Sequence, residues 1–283
     1  KEINKLAKNI FITGGSGQDS RILTILLRKR KINLYVFYKK NKPQKIKGVK
    51  YIKNNLFNKV KLDKLFSKTK PNIVLHLASN NPNYSESGYK TFFKQNFLAT
   101  KNIFNATFKS NLKAKFIFCS SSQIFKKKTG SVKEDSKFLK SSDYTNFRIK
   151  SDQMMLEYKK IKKISYSNAI LFNHDSIYRN NKFIIPRTMN ALINRNDFFL
   201  KNIIKANICE DFSHAEDICR GLIKIMFNKK NFDKIILSSG KITPLNKVIK
   251  YVCKKNKIKI SFQISKNKTK KGLIGNNNLA KKM

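Results

Sequence analysis

Two side chains in this sequence have the types and positions for proton transfer at an oxygen. Ser121 lies just past the apolar run Ala114 to Cys119, and Tyr144 opens an apolar pattern of helical period that continues to Ile161. Arg148 follows one helical turn after Tyr144. A phenol has a pKa of about 10, so to take a proton near neutrality it must be lowered by about three units, roughly 4 kcal/mol. A cation one turn away, together with the positive charge of a cofactor ring, would supply that shift, while a serine hydroxyl would hold the substrate oxygen in place. On spacing alone the pair also fits a tyrosine at a helix start and an ordinary serine turn.

A second stretch, Asn9 to Leu23 (N-I-F-I-T-G-G-S-G-Q-D-S-R-I-L), has the pattern of a phosphate cradle. An apolar run Ile10 to Ile12 breaks at Thr13-Gly14-Gly15, and a helical pattern resumes at Ile22 and Leu23. Glycines let the backbone approach a pyrophosphate, and the free N–H groups of the next helix attract the anion. The spacing is Gly14-x-x-Gly17-x-x-Ser20, with serine where a third glycine is expected. An ordinary strand-to-helix turn would look similar.

The elements that must position these groups alternate. Strands are expected at Ile10–Ile12, Ile32–Tyr38, Val49–Ile52, Ile73–Leu77, Ala114–Cys119, Tyr166–Phe172 and Ile235–Ser239, with helices at Val60–Ser67, Tyr89–Ser110 and Tyr144–Ile161. Ala78-Ser79-Asn80-Asn81-Pro82 reads as a turn. This order predicts an α/β fold, a doubly wound parallel sheet of Rossmann type. A dinucleotide-binding domain over 1–172, to which 208–240 return, would carry a smaller substrate-binding part built from 173–207 and 241–283. The second strand ends in Lys39-Lys40 with no acid, which favours a ribose carrying a 2′-phosphate, hence NADP over NAD. Asn55 and Leu56 sit where an adenine contact is expected.

The chain has 283 residues, 40% hydrophobic, with a formal net charge of +46. Only eight of its 62 basic residues are arginine and the lysines are scattered, which argues for a solvated lysine-rich surface rather than a nucleic-acid interface. Cys119, Cys209, Cys219 and Cys253 form no C-x-x-C pair and read as reduced thiols of a cytoplasmic protein; His76, His174 and His214 lack ligand spacing, so no metal is expected. No apolar stretch is long enough to span a membrane. His76 and His214 read as packing residues, and Ser213-x-x-Glu216 as a capping box. A Ser121, His214, Asp217 hydrolase is disfavoured by the lack of a nucleophile elbow.

Several stretches, in order along the chain, are similar to motifs of one family. T-G-G-S-G-Q-D-S resembles T-G-x-x-G-Q-D-G, H-L-A-S (His76 to Ser79) resembles N-L-A-A, and N-F-L-A-T-K-N-I-F-N-A (Asn96 to Ala106) resembles N-x-x-G-T-x-N-L-L-E-A. C-S-S-S-Q-I-F is similar to S-T-S-E-x-Y, L-F-N-H-D-S to L-F-N-H-E-S, E-D-F-S-H-A-E-D to R-D-W-G-H-A-x-D, and G-N-N-N-L-A-K-K to G-D-x-S-K-A-K-K. The family is the extended short-chain dehydrogenases/reductases, the epimerases and dehydratases of nucleotide sugars, and the branch is that of the GDP-mannose 4,6-dehydratases. The resemblance implies oxidation at sugar C4 with NADP, in surface-polysaccharide synthesis. It implies a cofactor site lined by Thr13, Gly14, Gly17, Gln18, Asp19, Lys39, Lys40, Asn55, Leu56, Leu77, Ala78 and His174 together with Tyr144 and Arg148. Ser121 would orient the sugar 4-hydroxyl and Tyr144 take its proton, while Asn173 and Arg187 help hold a GDP-mannose-like nucleotide sugar. A homodimer or homotetramer would form through a bundle of the helices that begin near Tyr89 and Tyr144.

Four departures from the family pattern bear on chemistry. Arg148 replaces lysine, Gln123 replaces the glutamate that removes the C5 proton, Glu210 replaces an arginine that pairs with the substrate diphosphate, and Ser20 replaces glycine. An amide cannot act as a general base. A 4-keto reductase or epimerase, which needs no C5 base, and a dinucleotide-binding protein without turnover are therefore the alternatives.

Overall fold

A computed structural model describes residues 8–79, 89–260 and 272–283. The central sheet takes β1 (Lys8–Thr13), β2 (Ile32–Tyr38), β3 (Val49–Lys53), β4 (Ile73–His76) and β5 (Lys115–Ser121). After the short β6 (Gly130–Val132) come β7 (Ser165–Leu171), β8 (Asn173–Asp175), β9 (Cys209–Glu210), β10 (Phe212–His214), β11 (Ile235–Leu237), β12 (Thr243–Pro244) and β13 (Leu273–Gly275). Seven of these form one parallel sheet in the order β11-β7-β5-β4-β1-β2-β3. The chain moves outward from β1 through β2 and β3, then returns to place β4 on the other side of β1. The switch point lies between β1 and β4, where open α/β sheets bind ligands.

Residues alternate across the sheet by size class. Ile10 and Ile12, Leu34 and Val36, and Ile117 and Cys119 face one side, against α1 (Gln18–Leu27) and α7 (Ala215–Phe227). Phe11, Tyr35, Phe37, Phe116 and Phe118 face the other, against α2 (Lys59–Thr69), α3 (Tyr89–Ser110) and α4 (Asp143–Lys162). One layer is thus aliphatic and the other is filled with rings: Phe11 stacks on Tyr35 at 4.4 Å and Phe104 meets Phe116 edge-on at 5.2 Å. Two-sided burial with period-two alternation is what a parallel strand covered by helices on both faces requires.

The segments that break this rhythm have a core of their own. α5 (Ile184–Ile193), α6 (Asp197–Lys205) and α8 (Leu245–Lys255) share a cluster built on Leu192, Leu200, Ile204, Leu245 and Ile249. The connection from Ser121 to Tyr144 contains a short turn at Ser122–Ile124 and strand β6, which pairs with β13. A final short helix, α9 (Asn278–Lys281), follows β13. The expected turn at residues 80–82 lies outside the described residues. The expected capping box at Ser213 is corrected: His214 is the N-cap of α7, its side chain accepting from the Glu216 N–H, while the buried Ser213 hydroxyl has no hydrogen-bond partner. His214 is accordingly an exposed capping residue, not a packing one.

Asp211 ties these parts together. Its buried carboxylate accepts from the backbone N–H of Ser239 (2.8 Å), Gly240 (3.0 Å) and Gly275 (3.1 Å) and from the Ser239 hydroxyl, joining the segment after β11 to β13. Truncation to alanine strands several buried donors at about 1–3 kcal/mol each. Asp211→Ala should therefore lower the unfolding free energy by at least about 3 kcal/mol in urea melts, whereas an exposed change such as Asp135→Ala should cost under about 1 kcal/mol.

Candidate active site

The carboxyl ends of β1 and β4 frame a cavity of about 610 Å³, within the range of small-molecule sites. Its floor is the glycine turn. Gly14 has φ +79°, a left-handed conformation, and the Gly15 N–H donates to the Phe37 carbonyl at 2.7 Å. A Cβ on Gly15 would stand 2.8 Å from that oxygen, so the tightest glycine of this turn is one that the Gly14-x-x-Gly17 spacing passes over. Gly17 is the N-cap of α1 and offers no side chain to the helix N–H groups, which leaves them for a ligand. The residues present therefore fit a dinucleotide pyrophosphate. Ser20, buried in the first turn of α1, is accommodated with its hydroxyl unpartnered.

Thr13, Gly14, Gly17, Gln18, Asp19, Lys39, Lys40, Asn55, Leu56, Leu77 and Ala78 all line the cavity. The side chains of Gln18 and Asp19, however, are committed to the protein. The Gln18 amide donates to the His174 carbonyl (2.9 Å) and accepts from the Ser176 hydroxyl (2.9 Å), and Asp19 faces the His174 ring at 3.1 Å. His174 is buried and does not line the cavity. Four wall residues that carry no motif, Gln95, Tyr178, Arg179 and Phe183, were not legible in the sequence. The Arg179 guanidinium stacks on Phe183 at 3.5 Å and pairs with Asp175 at 3.3 Å.

His76 fixes the switch point. The Thr13 hydroxyl oxygen accepts from the Leu77 and Ala78 N–H groups (3.1 and 3.0 Å), so its proton goes to His76 Nδ1 at 2.9 Å. Nε2–H then donates to Thr100 at 3.0 Å. The ring is thus a neutral, hydrogen-bonded link between β1, β4 and α3. Burial, with the nearby Arg148 charge adding to it, pushes its pKa down to about 3.

The groups expected to do chemistry stand beyond this wall. Ser121 ends β5, its hydroxyl accepting from the Gln123 N–H at 3.3 Å, and Gln123 itself is exposed. Tyr144 lies in the first turn of α4, which a capping box of Ser142 and Thr145 begins. Arg148 is buried one turn later, its guanidinium 5.0 Å from the Tyr144 ring and 4.9 Å from Phe147. It donates to the Cys119 carbonyl and, at 2.9 Å, to the hydroxyl of Ser79, a cavity-wall residue. Lys150, by contrast, is exposed over Phe93 on α3. Asn173 and Arg187 are apart from the cavity: the Asn173 amide donates to Glu210 at 3.5 Å, and the exposed Arg187 lies over Phe199. Burial and the neighbouring Asp211 raise the pKa of Glu210.

A parallel sheet whose switch point opens beside a glycine turn, with a tyrosine and a cation one turn apart at the next strand ends, defines the Rossmann-like short-chain dehydrogenases/reductases. Solved structures of that class share the fold. An epimerase of Methanothermobacter thermautotrophicus superposes with TM-score 0.79 at 17% identity, covering 98% of this chain and 86% of its own. The dTDP-glucose 4,6-dehydratase of Bacillus anthracis, solved with NAD, gives 0.79 at 14% over 98% and 90%. The UDP-glucose 4-epimerase of Thermotoga maritima, solved with UDP-glucose, gives 0.79 at 15% over 97% and 91%. No curated protein sequence matches directly. The model of the GDP-mannose 4,6 dehydratase family matches residues 11–280, and the chain belongs to that family, among the nicotinamide-dependent epimerases and dehydratases of nucleotide sugars. Among the described residues, no helix is long and apolar enough to cross a membrane.

The state of His76 gives a test. Its folded pKa lies below its unfolded value of 6.5, so as pH falls the unfolded chain takes up a proton that the folded chain refuses. Stability is lost from pH 6.5 down to about 3, at about 1.4 kcal/mol per pH unit. The unfolding free energy of wild type minus that of His76→Asn should therefore decline with that slope below pH 6.5 in urea titrations, and stay flat above about pH 7.5.

Proposed function

We propose that the protein binds a nicotinamide dinucleotide, NADP in preference to NAD, along the cavity at the switch point, and oxidises a GDP-mannose-like nucleotide sugar at C4. The observation that carries this reading is that Arg148, packed on the Tyr144 ring, donates to Ser79 in the wall of a cavity whose floor is an uncapped glycine turn. When bound, the dinucleotide supplies the hydride acceptor. Ser121 orients the 4-hydroxyl, Tyr144 takes its proton, and Arg148 holds the nicotinamide ribose. Lys39 and Lys40, exposed at the cavity rim with no acid beside them on β2, suit a 2′-phosphate. Asn173, Arg187 and the α5, α6 and α8 cluster form the substrate side. Self-association through α3 and α4, which pack on each other, completes the reading.

Gln123 favours a second reading. An exposed amide stands where elimination needs a C5 base, so exchange of hydride and proton at C4 alone, a 4-keto reductase or epimerase, asks nothing that the residues present lack.

Incubation with GDP-mannose and NADP separates these readings: a 4-keto-6-deoxy product supports the first, and reduction of an added 4-keto sugar without elimination supports the second. In either case Tyr144→Phe should lower kcat at least about 100-fold with little change in KM. Arg148→Lys, which restores the ammonium of the family pattern, should raise kcat. Lys39→Ala/Lys40→Ala should weaken NADP about tenfold in calorimetric titration while leaving NAD within about twofold.

A further inference from the structure

Asp19 is the one carboxylate among the described residues that line the cavity, and it stands in the first turn of α1, where the uncapped N–H groups are. Left alone there, its charge would oppose the anion that the helix end attracts. It is not left alone. His174 Nε2 lies 3.1 Å from both carboxylate oxygens, and Nδ1 lies 2.6 Å from the Phe172 carbonyl oxygen. The carbonyl and the ionised carboxylate can only accept, so with Asp19 ionised both ring nitrogens carry hydrogen and the ring is an imidazolium. Burial disfavours the charge on His174, but Asp19 and the Phe172 carbonyl outweigh it and raise the pKa of the ring; burial likewise opposes ionised Asp19, and His174, helped by Arg179 and Gln18, outweighs that, lowering the carboxyl pKa. Gln18 clamps the same two segments from the next position, through the His174 carbonyl and the Ser176 hydroxyl.

We propose that His174 is a positioning residue for the cofactor that acts through Asp19: from behind the cavity wall it cancels the one negative charge at the phosphate end and holds that side chain against residues 173–176. The resemblance implies direct cofactor contact for His174, whereas the buried ring here reaches the site only through the carboxylate. The inference rests on the dinucleotide reading of the cavity.

The test is calorimetric titration of the full chain with NADP and with adenosine, using wild type, His174→Gln, Asp19→Asn and the double variant. His174→Gln should weaken NADP at least about tenfold by removing the carboxylate's main partner, Asp19→Asn should bind as wild type or tighter, and the double variant should return to within about threefold of wild type. Adenosine, which lacks the pyrophosphate, should bind all four alike. A structural role alone would weaken NADP in both single variants and most in the double. Weakening by Asp19→Asn beyond about threefold, a double variant no better than His174→Gln, or an equal loss for adenosine overturns the proposal. If His174→Gln does not fold, the Asp19→Asn arm decides by the same criterion. Failure of wild type to bind NADP or NAD would instead overturn the reading of the cavity itself.

Discussion

The site depends on how closely the backbone of β1 can pass its neighbours as it turns. At Gly15 the chain lies against the end of β2, with its N–H on the Phe37 carbonyl and no room for a Cβ; at Gly14 it takes a left-handed conformation within contact of Ala78. That double approach brings the first turn of α1 over the gap between β1 and β4. A bulkier turn would lift α1 from the sheet, separating the helix end from Thr13 and His76 and the aliphatic layer of α1 and α7 from its strands.

Electrostatics at this site is decided by a few buried groups, although the chain carries 62 basic residues. Two histidines show the principle in opposite senses. His76 is surrounded by hydroxyls and sits near a guanidinium, so it is neutral; His174 is held between a carbonyl and a carboxylate, so it is charged. Arg148 is the third decisive group. It fills a place between Phe118, Phe147 and Tyr144 with a flat, permanently charged plane, and one of its buried nitrogens, Nε, has no partner. A guanidinium is a fixed charge here, not a proton carrier.

The positions of the sheet strands along the chain, the glycine turn and the helix that carries Tyr144 were legible in the sequence because each is written in local pattern: buried apolar runs, a break at glycine, an apolar stripe of helical period. What was not legible depends on long-range partners. Nothing in Gln18-Asp19 indicates that both side chains turn away from a ligand toward residues more than 150 positions later. Tyr178 and Arg179 reach the cavity from a stretch without motif. Ser213 and His214 could each cap α7 by residue type, and only the geometry of the short β10 strand decides for His214. The aliphatic and aromatic faces could have been read from Ile10-Phe11-Ile12 and Phe116-Ile117-Phe118, since alternation within a wholly apolar run tells which side each residue meets.

The knot at Asp211 has a temporal side. Its last donor, the Gly275 N–H, is made 64 residues after the carboxylate that receives it. As the chain emerges, β1 to β5 and β7 can pair and their two layers can close while Asp211 is still hydrated and β6 still lacks β13. The main sheet is therefore able to mature first, and the opposite rim becomes rigid only when the final strand arrives, so a stalled chain would be a folded sheet with an unlatched edge.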